Sequence, residues 1–146
     1  SFRGIRRRFE LLGKLYGAAL IADYAHHPRE ISAALTAAKE AFGGRLFVVF
    51  QPHTYSRTRL LFDDFVAALQ GVERLVIYKT YPAREYFDAA GSALTLAEHL
   101  PNALYVETTR ELSVYLRCSL RAGDAVLFLG AGDIYFIAKR LPGAKL

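Results

Sequence analysis

The sequence holds one cysteine, no tryptophan and no methionine in 146 residues. A lone Cys118 closes no internal disulfide, so packing must hold the fold, and this usage fits a reducing cytoplasm. Its neighbours Leu116 and Leu120 predict a buried, inert thiol on a helix. No histidine and cysteine cluster has zinc spacing, which argues against a structural metal. Apolar runs fall short of the roughly 18–20 residues that span a bilayer. The arginine-rich start is followed by neither the apolar core nor the small-residue cleavage site of a secretory leader. Without an initiator methionine and with a strand-like stretch almost at once, the chain reads as one domain, residues 1–146, cut from a longer protein. Two nucleotide signatures are missing as well. No G-x-x-x-x-G-K-[ST] phosphate loop occurs, and Gly130-Ala131-Gly132 lacks the third glycine of the dinucleotide fingerprint.

Acidic residues are absent from one end. Arg3, Arg6, Arg7 and Arg8 precede the first acid, Glu10, and supply +4 of a formal net charge of +5. A nucleic-acid footprint spreads its cations over a face or along a helix. This cluster is terminal and local. It reads either as a lobe meeting something anionic, a nucleotide or another part of a longer chain, or as a solvated basic strand.

What is present is a rhythm. Apolar, β-rich runs at residues 17–24, 46–51, 74–81, 103–107 and 125–129 have the continuous character of strands covered on both faces. Between them apolar residues recur at helical spacing: Ile31, Ala34, Leu35, Ala38 and Phe42, then Phe62, Phe65, Val66 and Leu69. Pro28 suits a first helical turn, and Gly43-Gly44 and Gly71 suit helix ends. Thr108 and Glu111 have capping-box spacing ahead of Leu112, Tyr115 and Leu116. The alternation predicts an α/β fold, a Rossmann-like, mostly parallel sheet with helices on both faces. Residues 5–24 break the rhythm and predict an antiparallel hairpin at the sheet edge.

Ligands of open α/β sheets bind beyond the carboxyl ends of the strands. Three loops there carry polar residues that a core does not require. The first, residues 23–28, sets Asp23, Tyr24, His26 and His27 at a helix N-terminus, which favours anions. The second, residues 51–59, carries Arg57 and Arg59, whose forked guanidinium groups grip carboxylates or phosphates. A competing reading pairs these arginines with Asp63 and Asp64 and makes Thr58 a helix cap. The third, residues 130–133, is either a tight structural turn or a close backbone approach to a ligand. The loop after Tyr81, with Arg84, Glu85 and Asp88, reads equally as functional or as mobile.

Taken in order, GIRRRFE at 4–10, ADYAHHP at 22–28, FQPHTYSRT at 50–58 and GAGDI at 130–134 resemble the Mur ligases, specifically the C-terminal domain of the alanine-adding branch. The resemblance spans nearly the whole chain, and YAHHP with QPHxYSRT is its most specific part. It implies a cytoplasmic ATP-dependent ligase that forms an acyl phosphate on UDP-N-acetylmuramate and captures it with L-alanine. It implies ATP with Mg2+, held mainly by a central domain that lies outside this chain with the N-terminal nucleotide-sugar domain. It assigns His26 and Arg57 to catalysis and, with Arg59 and Thr54, to the amino acid; Asp23, Tyr24 and Arg7 fall on the ATP side. A murein-recycling ligase of the same family shares the histidine loop.

Four positions depart from the family pattern. Ala22 replaces the first acid of DDY, Thr54 replaces the arginine of QPHRYSRT, Lys79 stands where an acid is usual, and Arg84 interrupts the usual AGE. The Thr54 change removes half of an expected arginine pair, so that either Arg59 compensates, the amino acid differs, or the chain is a diverged Mur-like ligase. Two other classes remain open. A stand-alone dinucleotide module would need glycines where this chain has AHHP, and a nucleic-acid binder using the basic start would bind any polyanion in a salt-sensitive way.

Overall fold

The computed structural model describes residues 8–141. Six strands form one sheet: β1 Glu10–Leu15, β2 Ala18–Asp23, β3 Leu46–Phe50, β4 Arg74–Tyr78, β5 Ala103–Val106 and β6 Ala125–Leu129, in the order β1-β2-β6-β3-β4-β5. Only β1 runs antiparallel, paired with β2, so the edge hairpin forms as expected. Its turn places Tyr16 and Gly17 at φ 53° and 82°. Two successive positive φ values match the twist of a two-residue hairpin.

Six helices follow: α1 Pro28–Ala41, α2 Tyr55–Leu60, α3 Phe62–Leu69, α4 Ala93–Glu98, α5 Thr109–Ser119 and α6 Ile134–Arg140. The strands read as unbroken apolar runs because alternate side chains enter two different cores. Ala125, Leu127 and Leu129 of β6 join Ile31 and Leu35 of α1, Phe65 and Leu69 of α3 and Leu96 of α4. Val126 and Phe128 point the other way, toward Leu112 and Leu116 of α5 and Ile137 of α6. Each fully buried side chain of this size contributes about 1.5–3 kcal/mol. Phe65, against Phe50 at 5.6 Å between ring centroids, is one such anchor.

Chain direction sets the position of the site. From β2 the chain advances to β3, β4 and β5 with α1, α3 and α4 all on the first face. Helix α5 carries it back across the second face, and β6 inserts between β2 and β3. Helices leaving β2 and β3 therefore depart to one face and α6, leaving β6, to the other. That divergence opens a crevice at the carboxyl end of β6, where open α/β sheets receive ligands.

Several local expectations need correction. The stripe from Phe62 to Leu69 forms α3 as expected, but a separate helix, α2, precedes it, parted from α3 at Leu61, whose φ of −108° and ψ of 25° leave the helical region. Thr58 is not a cap; it is buried within α2, and its hydroxyl donates to the Thr54 carbonyl at 2.9 Å. Cys118 is exposed, because Leu112 and Leu116 define the inward stripe of α5 and residue 118 lies two positions past it. Half of the capping box at α5 forms: Thr108 accepts the Glu111 N–H at 3.1 Å, but the Glu111 carboxylate reaches the Glu107 N–H instead.

Candidate functional site

The loop after β2 is held from below. Asp23, 8% exposed, accepts the Ala25 N–H at 2.8 Å and the Phe9 N–H at 3.0 Å. Burial pushes its carboxyl above the ordinary range, against the pull of those two N–H groups and of Arg8. Asp23 thus ties the start of β1 to the start of the loop, and it also lines a groove of about 390 Å3 with Arg8, Phe9, Arg29 and Glu30. Tyr24 turns elsewhere and packs edge-on against His26 at 5.4 Å. The two residues assigned to the nucleotide therefore face different surroundings. Arg7, the third, lies outside the described residues.

His27 is the N-cap of α1. Its Nδ1 accepts the Arg29 N–H at 3.3 Å, while Glu30 Oε1 accepts the N–H of His26 at 3.1 Å and of His27 at 3.2 Å. The reciprocal arrangement leaves the His26 ring beside the helix end, its side chain 21% exposed. His26 Nδ1 lies 3.0 Å from the Tyr24 carbonyl oxygen and 3.5 Å from the Glu30 carboxylate.

The second loop continues the sheet by two bonds. Tyr81 N–H donates to the Pro52 carbonyl at 2.9 Å and Thr54 N–H to the Tyr81 carbonyl at 2.8 Å. This parallel bridge stacks His53 on the Tyr81 ring at 5.2 Å and 20°. His53 also comes within 5.8 Å of the His26 ring. Its Nδ1 is buried and has no hydrogen-bond partner among the described residues. Burial lowers the His53 pKa, His26 and Arg57 lower it further, and Glu85 opposes them. The sequence reading named His26 and Arg57 but passed over His53, which sits between them.

Thr54 is the N-cap of α2, accepting the Arg57 N–H at 3.3 Å. Its φ of 66° and ψ of 152° lie in a region that β-branched residues rarely enter, a strain the surrounding bonds must sustain. Glu85 completes the cap from thirty residues away: Oε1 accepts the Tyr55 N–H at 2.8 Å and the Ser56 N–H at 2.9 Å, and the other oxygen takes the Ser56 hydroxyl. The Ser56 hydroxyl and these N–H groups hold the Glu85 carboxyl below its ordinary range. The undecided loop after Tyr81 is therefore ordered at Glu85. Arg59 pairs with Asp88 at 3.6 Å rather than with Asp63 or Asp64. No carboxylate among the described residues pairs with the Arg57 guanidinium.

Between the two loops lies the carboxyl end of β6, so the histidine and arginine loops leave strands that are separated by one other. Gln51, 2% exposed, fastens this centre. Its amide donates to the Asp133 carboxylate at 2.7 Å and the Lys79 carbonyl at 3.2 Å, and its oxygen accepts the Ile134 N–H at 3.1 Å. A methyl on Gly132 would lie 2.6 Å from Tyr81 Cγ and 2.8 Å from Gln51 Oε1. The glycine turn is accordingly a packing requirement, and it lets β6 approach the bridge that carries His53.

A family model described as "Mur ligase, glutamate ligase domain" matches residues 7–132. The UDP-N-acetylmuramate–L-alanine ligase of Alkaliphilus metalliredigens is 44% identical over 148 residues, covering 99% of this chain and 32% of that protein. The crystal structure of UDP-N-acetylmuramate-alanine ligase from Thermotoga maritima matches with a TM-score of 0.66 at 31% identity, over 92% of this chain and 29% of that one. A bifunctional folylpolyglutamate synthase/dihydrofolate synthase from Yersinia pestis, complexed with AMPPNP and a manganese ion, shares the fold: TM-score 0.68, 19% identity, 94% of this chain and 30% of that one. The chain spans about a third of the length of the curated relative it matches.

Proposed function

This chain belongs to the Mur ligase family through its glutamate ligase domain, and from that premise we propose that it is the C-terminal lid of an ATP-dependent ligase joining L-alanine to UDP-N-acetylmuramate. ATP would phosphorylate the muramyl carboxylate, and the amine of alanine would displace phosphate from the acyl phosphate. Closure of a lid over such a reaction expels water and holds the amine in line with the carbonyl.

The observation that carries this reading is Arg57, a forked cation without a carboxylate partner among the described residues, beside two histidines at the crevice. An α-carboxylate supplies the missing anion. Thr54 offers no second guanidinium, and Arg59 is already engaged by Asp88, so Arg57 bears the amino-acid contact alone. On the nucleotide side we assign ATP to the groove along Asp23 and Arg8, with Arg7 as a further contact; Tyr24, turned toward His26, would meet the nucleotide outside that groove. Among the described residues no group of three or more His, Cys, Asp or Glu could hold a metal ion; we assign the Mg2+ accompanying ATP mainly to the central domain of the longer polypeptide. Among the described residues no helix is long and apolar enough to cross a membrane.

The test uses the full-length polypeptide. Arg57→Ala should raise the KM for L-alanine about 10- to 100-fold, the loss of one charge-assisted contact, with the KM for ATP unchanged. An unchanged alanine KM would overturn the assignment. A wild-type protein that ligates a muramyl tripeptide in preference to alanine would move it to the recycling branch.

A further inference from the structure

His26 and His53 lie 5.8 Å apart, yet their backbones demand opposite things of them. The partner of His26 Nδ1 is the Tyr24 carbonyl oxygen at 3.0 Å. A carbonyl only accepts, so this contact sets a proton on Nδ1 and leaves Nε2 as a lone pair. His53 Nδ1, by contrast, is buried with nothing to bond. An orphaned N–H is the costlier of the two alternatives in such a place, since buried donors are left unpaired more rarely than buried acceptors. The proton of neutral His53 therefore resides on Nε2. The two Nε2 atoms have no hydrogen-bond partner among the described residues and are not closed off from solvent. One loop thus presents an acceptor, and its neighbour a donor, at the same crevice.

We propose that His26 and His53 are a matched pair of opposite tautomers, His26 Nε2 accepting a proton from the ammonium of the incoming amino acid and His53 Nε2–H donating to the oxygen that becomes negative. This division of labour rests on the ligase reading above. The ammonium gives one proton to His26 Nε2, and the freed lone pair forms the C–N bond to the acyl carbon. The carbonyl π pair moves onto oxygen, where the His53 N–H meets it. Collapse re-forms the carbonyl and breaks the bond to phosphate, which departs with its electron pair and takes the second amine proton.

The surroundings keep the roles apart. His53 faces Tyr81 as a stacking partner, His26 and Arg57 as cations or potential cations, and Glu85 as an anion. Burial and the first two of those charges disfavour the imidazolium, so His53 remains a neutral donor. His26 faces the Tyr24 carbonyl and ring and the Glu30 carboxylate, with no lysine or arginine on its own loop, residues 23–28. A protonated His26 in turn holds His53 neutral.

Two measurements test the pair. Nitrogen-15 shifts and long-range couplings of the histidine rings in this chain, at neutral pH, should show His26 protonated on Nδ1 and His53 on Nε2. The same tautomer at both, or a charged His53, would overturn the assignment without reference to any reaction. In the full-length polypeptide, His26→Ala should lower kcat at least 100-fold, and added imidazole should restore part of it in proportion to the free base. His53→Gln, which keeps an N–H near the Nε2 position, should retain kcat within about tenfold, whereas His53→Leu should lose about 100-fold with little change in the alanine KM. Equal losses in Gln and Leu, or no rescue by imidazole, would sink the roles. A wild-type protein that forms no amide would overturn the ligase reading and the roles together while leaving the tautomers standing.

Discussion

The two ends of the sheet treat charge in opposite ways. At the amino ends, Arg45 binds Asp124 through two bonds of 3.0 and 2.7 Å and reaches the Ser119 carbonyl at 2.8 Å. The Arg45 hydrogen bond holds the Asp124 carboxyl below its usual range. A cavity of about 630 Å3 opens there among Leu35, Lys39, Gly44, Val72 and Arg74, but Arg45 is matched to Asp124 and Arg74 to Glu73. At the carboxyl ends, Arg57 lacks a carboxylate and His53 lacks a partner for Nδ1. The cavity is thus bordered by matched arginines, and the unfinished bonding lies at the opposite end of the sheet. At the amino ends Arg45 and Arg74 are matched to carboxylates, whereas Arg57 and His53 at the carboxyl ends are not, among the described residues, and it is there that we propose the amino acid binds.

That contrast can be broken most severely at Gln51, the structural exception at the open end. Gln51→Leu strands the Lys79 carbonyl, the Asp133 carboxylate and the Ile134 N–H, and should cost about 3 kcal/mol in urea unfolding. A change under about 1 kcal/mol would mean that the crevice does not depend on it. The sharpest form of the comparison exchanges the arginines. Arg45→Ala should lower Tm by several degrees and leave the alanine KM of the full-length protein alone, whereas Arg57→Ala should do the reverse; the same response from both would erase the distinction. Thr54→Arg comes next. It adds a second guanidinium and should lower the alanine KM, while losing the cap should cost about 0.5–2 kcal/mol. A higher KM would show that the cap matters more than the charge.

The smallest effect is a difference in pH window. His53 has a lowered pKa in the folded chain, so the unfolded state binds more protons as pH falls below about 6.5, and stability declines from there down to the folded pKa. Asp124 also has a lowered folded pKa, but of a carboxyl. Its contribution is present above the unfolded value of 3.8 and is lost as pH falls through the folded one. Urea midpoints between pH 7 and 5 should thus respond to His53→Gln and not to Asp124→Asn in their slopes. Identical slopes in the two variants would refute the assignment.

Much of the fold was legible because the strands are buried on both faces, which writes them as runs such as AVLFL, here matching β6 end to end. Helix α1 was legible from its stripe and Pro28. Residues 79–81 were read as strand because their composition continues β4; they leave the ladder and keep one bridge, His53 to Tyr81. The site was only half legible. His26, Arg57 and their loops announce themselves by residue type, whereas His53 is identified by a neighbour that arrives from β2 across the inserted β6, and strand order is not written locally. The Glu85 cap is hidden for the same reason: a carboxylate in a loop carries no mark of the helix it will meet thirty residues back. Histidine is an unusual N-cap, so His27 gave no helix-start signal beyond Pro28.

The reach of Glu85 also alters how the segment between β4 and the short 3-10 turn at Ala89–Gly91 must be regarded. Surface connections ordinarily tolerate added or lost residues. Here one side chain of the segment latches the start of α2, the helix that bears Arg57. A single residue inserted between Pro82 and Glu85 would therefore shift the guanidinium without touching any residue of the crevice, so the length of this stretch is under the same constraint as the chemistry it borders.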